Sequence, residues 1–449
     1  MATRSHNSPH LVDRGAQGAQ LDCETGHHRP MQNAMTQPSD DPSIAPANEW
    51  RRGWGIVVAA ALGVGVGLTG LPFYSFGVFV KPLEAAFGWS RAEVTTGMLF
   101  LSLGSVLTGP LIGMLIDRIG VRAVALPSLL GLALGFVFLA WSGPTLATFY
   151  AAWAALALLG CGTTPLTWTR AINLNFDRMR GLALGTALLG TGFASIFGPP
   201  LLQGLIAARG WQAGYLAIAL FIAIVALPAA YFGLPRTSSV TTRPTPASGA
   251  GVSWGDAVKT STFVKIAASI FLMILAQSSA TVHFVPLLED RGIAAADAAA
   301  TAGLLGLSIV VGRILVGYLV DRIHGPYVAA LFFGLPALAL LLLLTGEGIG
   351  VARGAAILLG LAAGAEVDLL AFLISRYFGL RHYGAIYGTA LSIFGLGAAM
   401  GAPLTSLALA SYGTYTIPLV IGILAFIAGA LIISSLGAYR TEVGSSRSA

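Results

Sequence analysis

Several polar side chains stand inside long apolar runs, where a hydrophobic sequence has least reason to keep them: Arg170, Arg313, Glu366, Asp368, His283 and Tyr74. If those runs cross a bilayer, an arginine near the midplane costs at least about 2.5–3.5 kcal/mol on insertion scales, so it must face a partner or a wet cavity. Arg313 precedes Asp321 by eight residues, which on a helix places it about 12 Å inside the end that Asp321 marks. Its planar guanidinium can grip a substrate carboxylate through two charge-assisted bonds, or it can staple helices in an internal salt bridge.

Glu366 and Asp368 precede Arg376 by ten and eight residues and fall at the same depth. Two residues apart on a helix is about 200° apart, so they cannot share one job: if one faces a central cavity, the other faces a neighbouring helix. Burial disfavours a charged carboxylate while a nearby guanidinium favours it, so an acid that loses and regains an arginine can release and take up a proton. Either acid suits proton coupling; a structural hydrogen bond is the alternative. Arg170, seven residues before Asp177, either lines an inner vestibule for an anion or extends to the membrane interface. His283, close to Gln277, Ser278, Ser279 and Thr281, is either a satisfied structural histidine or a group that draws an anion or relays a proton. Tyr74, between Phe73 and Phe76, is a substrate contact or packing.

Other chemistries lack their residues. Cys23 and Cys161 offer neither a disulfide framework nor a thiolate metal site. Four of the seven histidines (His6, His10, His27, His28) lie in the first 28 residues, leaving no H-x-x-x-H pair in the body, and no G-x-x-x-x-G-K-[ST] loop exists. The sequence therefore predicts no metal, no cofactor, no nucleotide and no enzyme activity. The net charge of +6 comes from basic residues scattered at the ends of apolar runs without a patch, which argues against nucleic acid.

The elements that position these residues follow from composition. Of 449 residues, 55% are hydrophobic, 10% charged and 57 are glycine, against about 25% charged in a soluble globular chain. This is the composition of a polytopic membrane protein resting in a lipid bilayer. Apolar stretches long enough to cross roughly 30 Å of hydrocarbon predict twelve helices at 54–79, 95–115, 123–142, 146–170, 181–205, 214–234, 263–288, 298–320, 327–346, 352–376, 384–410 and 415–437. The predicted organisation is a disordered cytoplasmic tail (1–52), a six-helix bundle (53–235), a cytoplasmic linker (236–261), a second six-helix bundle (262–438) and a short cytoplasmic tail (439–449). Only Lys81, Arg91, Arg209, Arg291 and Arg353 fall in the loops on the side away from the tails, so both termini are expected in the cytoplasm of a multi-pass protein of the cell (inner) membrane.

The halves repeat each other. Gly113-Met-Leu-Ile-Asp117-Arg118-Ile119 recurs as Gly317-Tyr-Leu-Val-Asp321-Arg322-Ile323, and Gly181-Leu-Ala-Leu-Gly185 followed by Gly198-Pro-Pro-Leu201 recurs as Gly384-Ala-Ile-Tyr-Gly388 followed by Gly401-Ala-Pro-Leu404. Duplicated six-helix halves are a hallmark of alternating-access transporters. Gly113-x-x-x-Asp117-Arg118-x-Gly120-x-Arg122 resembles the loop motif of the major facilitator superfamily, and Gly317 to Arg322 its second copy. Phe76-Gly-Val-Phe, Phe87-Gly-Trp-Ser-Arg91, Gly312-Arg313 and Ser375-Arg-Tyr-Phe-Gly-Leu-Arg-His-Tyr-Gly384 are similar to the bacterial monocarboxylate and oxalate/formate transporter branch. The second motif copy departs at His324-Gly325, and Arg51-Arg52 stand where monocarboxylate carriers often place an acid.

The resemblance implies the all-α major facilitator fold, an inner gate locked by Asp117, Arg118 and Arg122, and an anion-binding role for Arg313. The expected function is symport of a small organic anion, a monocarboxylate, with a proton by a protein that works as a monomer. The two membrane arginines and two membrane carboxylates sum to zero, so a monoanion entering alone leaves one uncompensated negative charge. Oxalate/formate-type exchange satisfies the same accounting, and a transport-dead metabolite sensor acting through the tail is the alternative from another class.

Overall fold

The computed structural model describes residues 46–235 and 251–439. Most of the predicted amino-terminal tail, the first part of the linker (236–250) and all but Tyr439 of the last tail lie outside the described residues. In chain order the helices are α1 (Pro46–Val66), α2 (Leu71–Ser75), α3 (Gly77–Phe87), α4 (Arg91–Ile119), α5 (Val121–Ala140), α6 (Leu146–Leu159), α7 (Pro165–Asn175), α8 (Arg180–Arg209), α9 (Trp211–Phe221), α10 (Leu227–Gly233), α11 (Trp254–Ala257), α12 (Ser261–Asp290), α13 (Ala295–Val320), α14 (Gly325–Thr345), α15 (Ile349–Phe378), α16 (Tyr383–Tyr412) and α17 (Thr416–Ser434). Helices dominate because the bilayer interior leaves a backbone N–H or C=O no partner except within its own segment.

Among the described residues, eleven helical stretches are long and apolar enough to cross a membrane. The predicted span 146–170 is not continuous. α6 stops at Leu159, a single 3-10 turn occupies Cys161–Thr163, and α7 restarts at Pro165. Pro165 has no N–H and pushes the preceding residue out of helical geometry, and Thr164 is extended, at φ −67° and ψ 162°. The first predicted span breaks as well, between Val66 and Leu71, beside Gly67, Gly70 and Pro72. The two breaks face each other: the Leu68 N–H donates to Thr163 Oγ1 at 3.2 Å, and the Trp168 indole donates to the Thr163 carbonyl at 3.1 Å. The second interruption thus satisfies a backbone group freed by the first, and a side chain of α7 satisfies one of its own.

Structure also reaches into the predicted tail and linker. α1 begins at Pro46, and the Glu49 carboxylate accepts the N–H groups of Arg178 at 3.2 Å and Met179 at 3.1 Å. Within the linker, Gly251 bridges Gly379, and Ser253 caps α11 by accepting from Asp256 N at 3.3 Å. Tyr439 accepts the Gly325 N–H at 2.7 Å.

The helices pack as two sets, α1–α10 and α12–α17, which meet along two seams, α4 with α16 and α8 with α13. Both seams are glycine-to-backbone contacts. A Cβ on Gly113 would run into the Gly384 carbonyl and one on Gly388 into the Gly109 carbonyl; in the other seam, one on Gly185 would run into the Arg313 carbonyl and one on Gly181 into that of Gly317. Small residues let backbones approach where lipid supplies no hydrophobic drive.

Candidate functional site

The repeated motif closes one end of the molecule by the same device twice. Asp117, near the end of α4, accepts the N–H groups of Gly384 and Ala385 at 3.0 Å each, at the amino terminus of α16. Asp321, just after α13, accepts those of Gly181 at 2.7 Å and Leu182 at 2.9 Å, at the amino terminus of α8. A carboxylate there satisfies free N–H groups and meets the positive end of the helix dipole. Gly113 and Gly317, one turn earlier, allow the backbones to come close enough. Gly120, at φ +87°, makes the one-residue turn into α5.

Arg170 departs from the interfacial reading. It is buried, and its Nη1 lies 2.6 Å from Asp117 Oδ1 and 3.0 Å from the Leu380 carbonyl. The arginines of the motif act more locally. Arg122 donates to the Leu234 carbonyl at 2.7 Å and lies over the Tyr231 ring, both beside α10 in its own set. Arg322 stacks on Tyr318, and Arg118 is exposed on the rim. Asp177 accepts from Arg376 at 3.1 Å and from Arg180 at 3.3 Å, adding a bridge between sets; sequence reasoning used Asp177 and Arg376 only to measure depth.

Deeper in, α13 and α15 bring three of the singled-out residues together. Arg313 Nη1 donates to Asp368 Oδ1 at 3.2 Å, with both side chains buried. Glu366, 5% exposed, occupies the same neighbourhood close enough to feel the Arg313 charge. Gly364 and Gly312 make this possible: a Cβ on Gly364 would meet the Ile309 carbonyl, and one on Gly312 the Leu361 carbonyl, so α13 and α15 lie in backbone contact. The pair is incompletely satisfied. Among the described residues, Arg313 Nε, Asp368 Oδ2 and Glu366 Oε1 are buried without a hydrogen-bond partner. A guanidinium with a donor to spare beside two acids with acceptors to spare can change partners, which a fully paired salt bridge cannot.

His283 and Tyr74 do not join this cluster. His283 is half-buried on α12, with Nε2 3.1 Å from the Ala402 carbonyl and 3.3 Å from Ser406 Oγ. It lines a small cavity with Ser279, Thr405 and Tyr415. Tyr74, 40% exposed in α2, makes its ring contact with Phe73.

Two tyrosines to which the sequence motifs assigned no role lie between the pair and the closed end. Tyr383 and Tyr387 of α16 are fully buried and stacked at 5.3 Å, and the Tyr383 hydroxyl donates to Thr169 Oγ1 of α7 at 3.1 Å. The spacing of tyrosines on one helix carries no sign of a partner more than 200 residues away, so nothing local could have flagged them.

Comparison with known proteins agrees with this architecture. Residues 62–402 match the family model of the Major Facilitator Superfamily. Monocarboxylate transporter 13 of Rattus norvegicus is 26% identical over 410 residues, covering 88% of this chain and 90% of its own, and monocarboxylate transporter 11 of Homo sapiens is 28% identical over 401 residues, covering 86% and 82%. Among solved structures, the human organic anion transporter MFSD10 superimposes with a TM-score of 0.66 at 18% identity over 86% of this chain and 99% of its own, and the E. coli fucose:proton symporter FucP with 0.68 at 14% over 84% and 97%. Those two establish the fold alone. With the family model spanning most of the chain, the protein is a multi-pass membrane transporter rather than an enzyme, and it belongs to the major facilitator superfamily.

Proposed function

We propose that the protein carries a small monocarboxylate together with a proton across the cell (inner) membrane by alternating access, as a monomer with both termini in the cytoplasm. In this reading the bundles 53–235 and 262–438 rock about the central site, and the end sealed by Asp117 and Asp321 is cytoplasmic, so the conformation is the outward-facing one. The observation that carries the reading is the Arg313 to Asp368 pair, buried, and short of partners on both sides.

Competition for Arg313 supplies the coupling. A substrate carboxylate taking the guanidinium strips Asp368 of its counter-ion, and removing one member of a buried ion pair costs about 3–5 kcal/mol. Asp368 avoids that cost by taking a proton, so anion and proton enter together. Loss of the proton on the other side returns Asp368 to Arg313 and expels the anion. Glu366 stands within the same field as the second titratable group. The names of the monocarboxylate transporters that the chain matches favour this class of substrate.

The test is uptake of formate, acetate, lactate and pyruvate into proteoliposomes. Accumulation of one of these acids driven by an imposed pH gradient, acid outside, supports symport. Uptake indifferent to the gradient but accelerated by the same acid on the far side refutes it in favour of exchange.

A further inference from the structure

Between the Arg313 pair and the sealed end lies a second polar cluster, shared by the two sets of helices and hidden in this conformation. Thr169 and Asn173 stand one turn apart on α7 and therefore on one face, with Arg170 beside them. Thr169 and Asn173 are each 1% exposed. Opposite them stands Tyr383, whose hydroxyl is bonded to Thr169. Asn173 is the anomaly. Its amide lies close to the Tyr383 phenol, yet among the described residues neither Oδ1 nor Nδ2 has a well-aligned hydrogen-bond partner. An unpaired buried polar group costs about 1–3 kcal/mol, and a leucine of similar volume would avoid the cost. A residue that is unfavourable in one conformation and useful in another gives the physical reason to keep it.

Parting the seams shows what that use is. Arg170 and Asp117 belong to the same set and stay together. The Arg170 contact to the Leu380 carbonyl and the Thr169 contact to Tyr383 run between sets and break. Both contacts of Arg170 are made through Nη1, and a guanidinium has five N–H donors. Opening therefore bares a guanidinium edge, a primary amide and a hydroxyl on one face of α7, with a phenol across the gap. Those are donors for a carboxylate. Because the charge of Arg170 is balanced by Asp117, the anion is held by hydrogen bonds with little net charge attraction, which suits a resting point on the way out.

We propose that Thr169, Arg170 and Asn173, faced by Tyr383, form a second binding site for the transported carboxylate, formed only when the sealed end opens. This rests on the carboxylate reading given above. The experiment uses purified protein oriented one way in proteoliposomes, with formate, acetate, lactate and pyruvate as probes and the acid that the unaltered protein carries best taken forward. Asn173→Leu and Thr169→Val are measured for half-saturating concentration from each side and for melting temperature. Each variant is expected to raise the half-saturating concentration on the Asp117 side about tenfold, the loss of one hydrogen bond of about 1.4 kcal/mol. The value on the opposite side stays unchanged, and Asn173→Leu melts no lower than the unaltered protein.

Equal shifts on both sides, or none on either, overturn the proposal. So does an Asn173→Leu protein that does not fold, since the amide would then have a structural partner. If the unaltered protein carries none of the four acids, the carboxylate reading itself has failed, a result separate from any difference between variants.

Discussion

Asp117→Asn tests the seal quantitatively. Of the three groups that Asp117 contacts, Arg170 lies in its own set and remains after opening, so it contributes nothing to the difference between closed and open. The Gly384 and Ala385 N–H groups, at 3.0 Å each, lie across the seam. Asparagine has one acceptor oxygen, and its amide hydrogens face a donor, so one of the two bonds is lost and the survivor is no longer charge-assisted. A hydrogen bond to a charged group contributes about 1.5–3 kcal/mol. The closed-to-open ratio should then fall by roughly 10- to 150-fold. Probes at the exposed positions Arg118 and Arg381, on opposite sets, report that ratio as the distance distribution between them in single-molecule fluorescence or pulsed electron resonance. The longer distance should gain population. A distribution indistinguishable from the unaltered protein, in variant protein that is folded, would refute the account of Asp117 as a seal.

Two other predictions follow from the same geometry. Gly384→Ala places a methyl group against the Gly113 carbonyl, and overpacking of this kind costs about 1–3 kcal/mol; the closed state alone bears that cost, so the same probes should again shift toward the longer distance, and an unchanged distribution would show that the backbones can move apart freely. Asp368→Asn keeps the shape but cannot titrate; it should retain exchange of the carboxylate while losing accumulation along a pH gradient, and a variant that still concentrates substrate would exclude Asp368 and leave Glu366 as the proton carrier.

The large features of the fold were legible because a bilayer enforces them. Apolar length locates spans, and the recurrence of Gly113-x-x-x-Asp117 as Gly317-x-x-x-Asp321 marked a duplicated device before its geometry was known. Arg313, Glu366 and Asp368 stood out because charge at that depth is costly. Hydropathy is blind to the breaks at Val66–Leu71 and Leu159–Pro165, since a broken helix with apolar side chains scores like an intact one. The local signs were the prolines, Thr164-Pro165 at one break and Leu71-Pro72 at the end of the other. The pairing of Arg170 with Asp117 was hidden for a different reason: depth along a helix is readable from sequence, but direction around it depends on which neighbours pack there. Asn173 and Tyr383 are ordinary residues taken singly, and only the seam gives them meaning.

The central claim is that a substrate carboxylate and Asp368 compete for Arg313. The most direct measurement compares Arg313→Ala alone with Arg313→Ala combined with Asp368→Asn, reading melting temperature and binding of the carried carboxylate in the same preparations. Arg313→Ala leaves Asp368 buried without its counter-ion, a loss of about 3–5 kcal/mol, and the added Asp368→Asn relieves it. The account predicts that the double variant regains stability and still fails to bind the carboxylate. Recovery of stability and binding together would contradict it, because Arg313 would then only fasten α13 to α15.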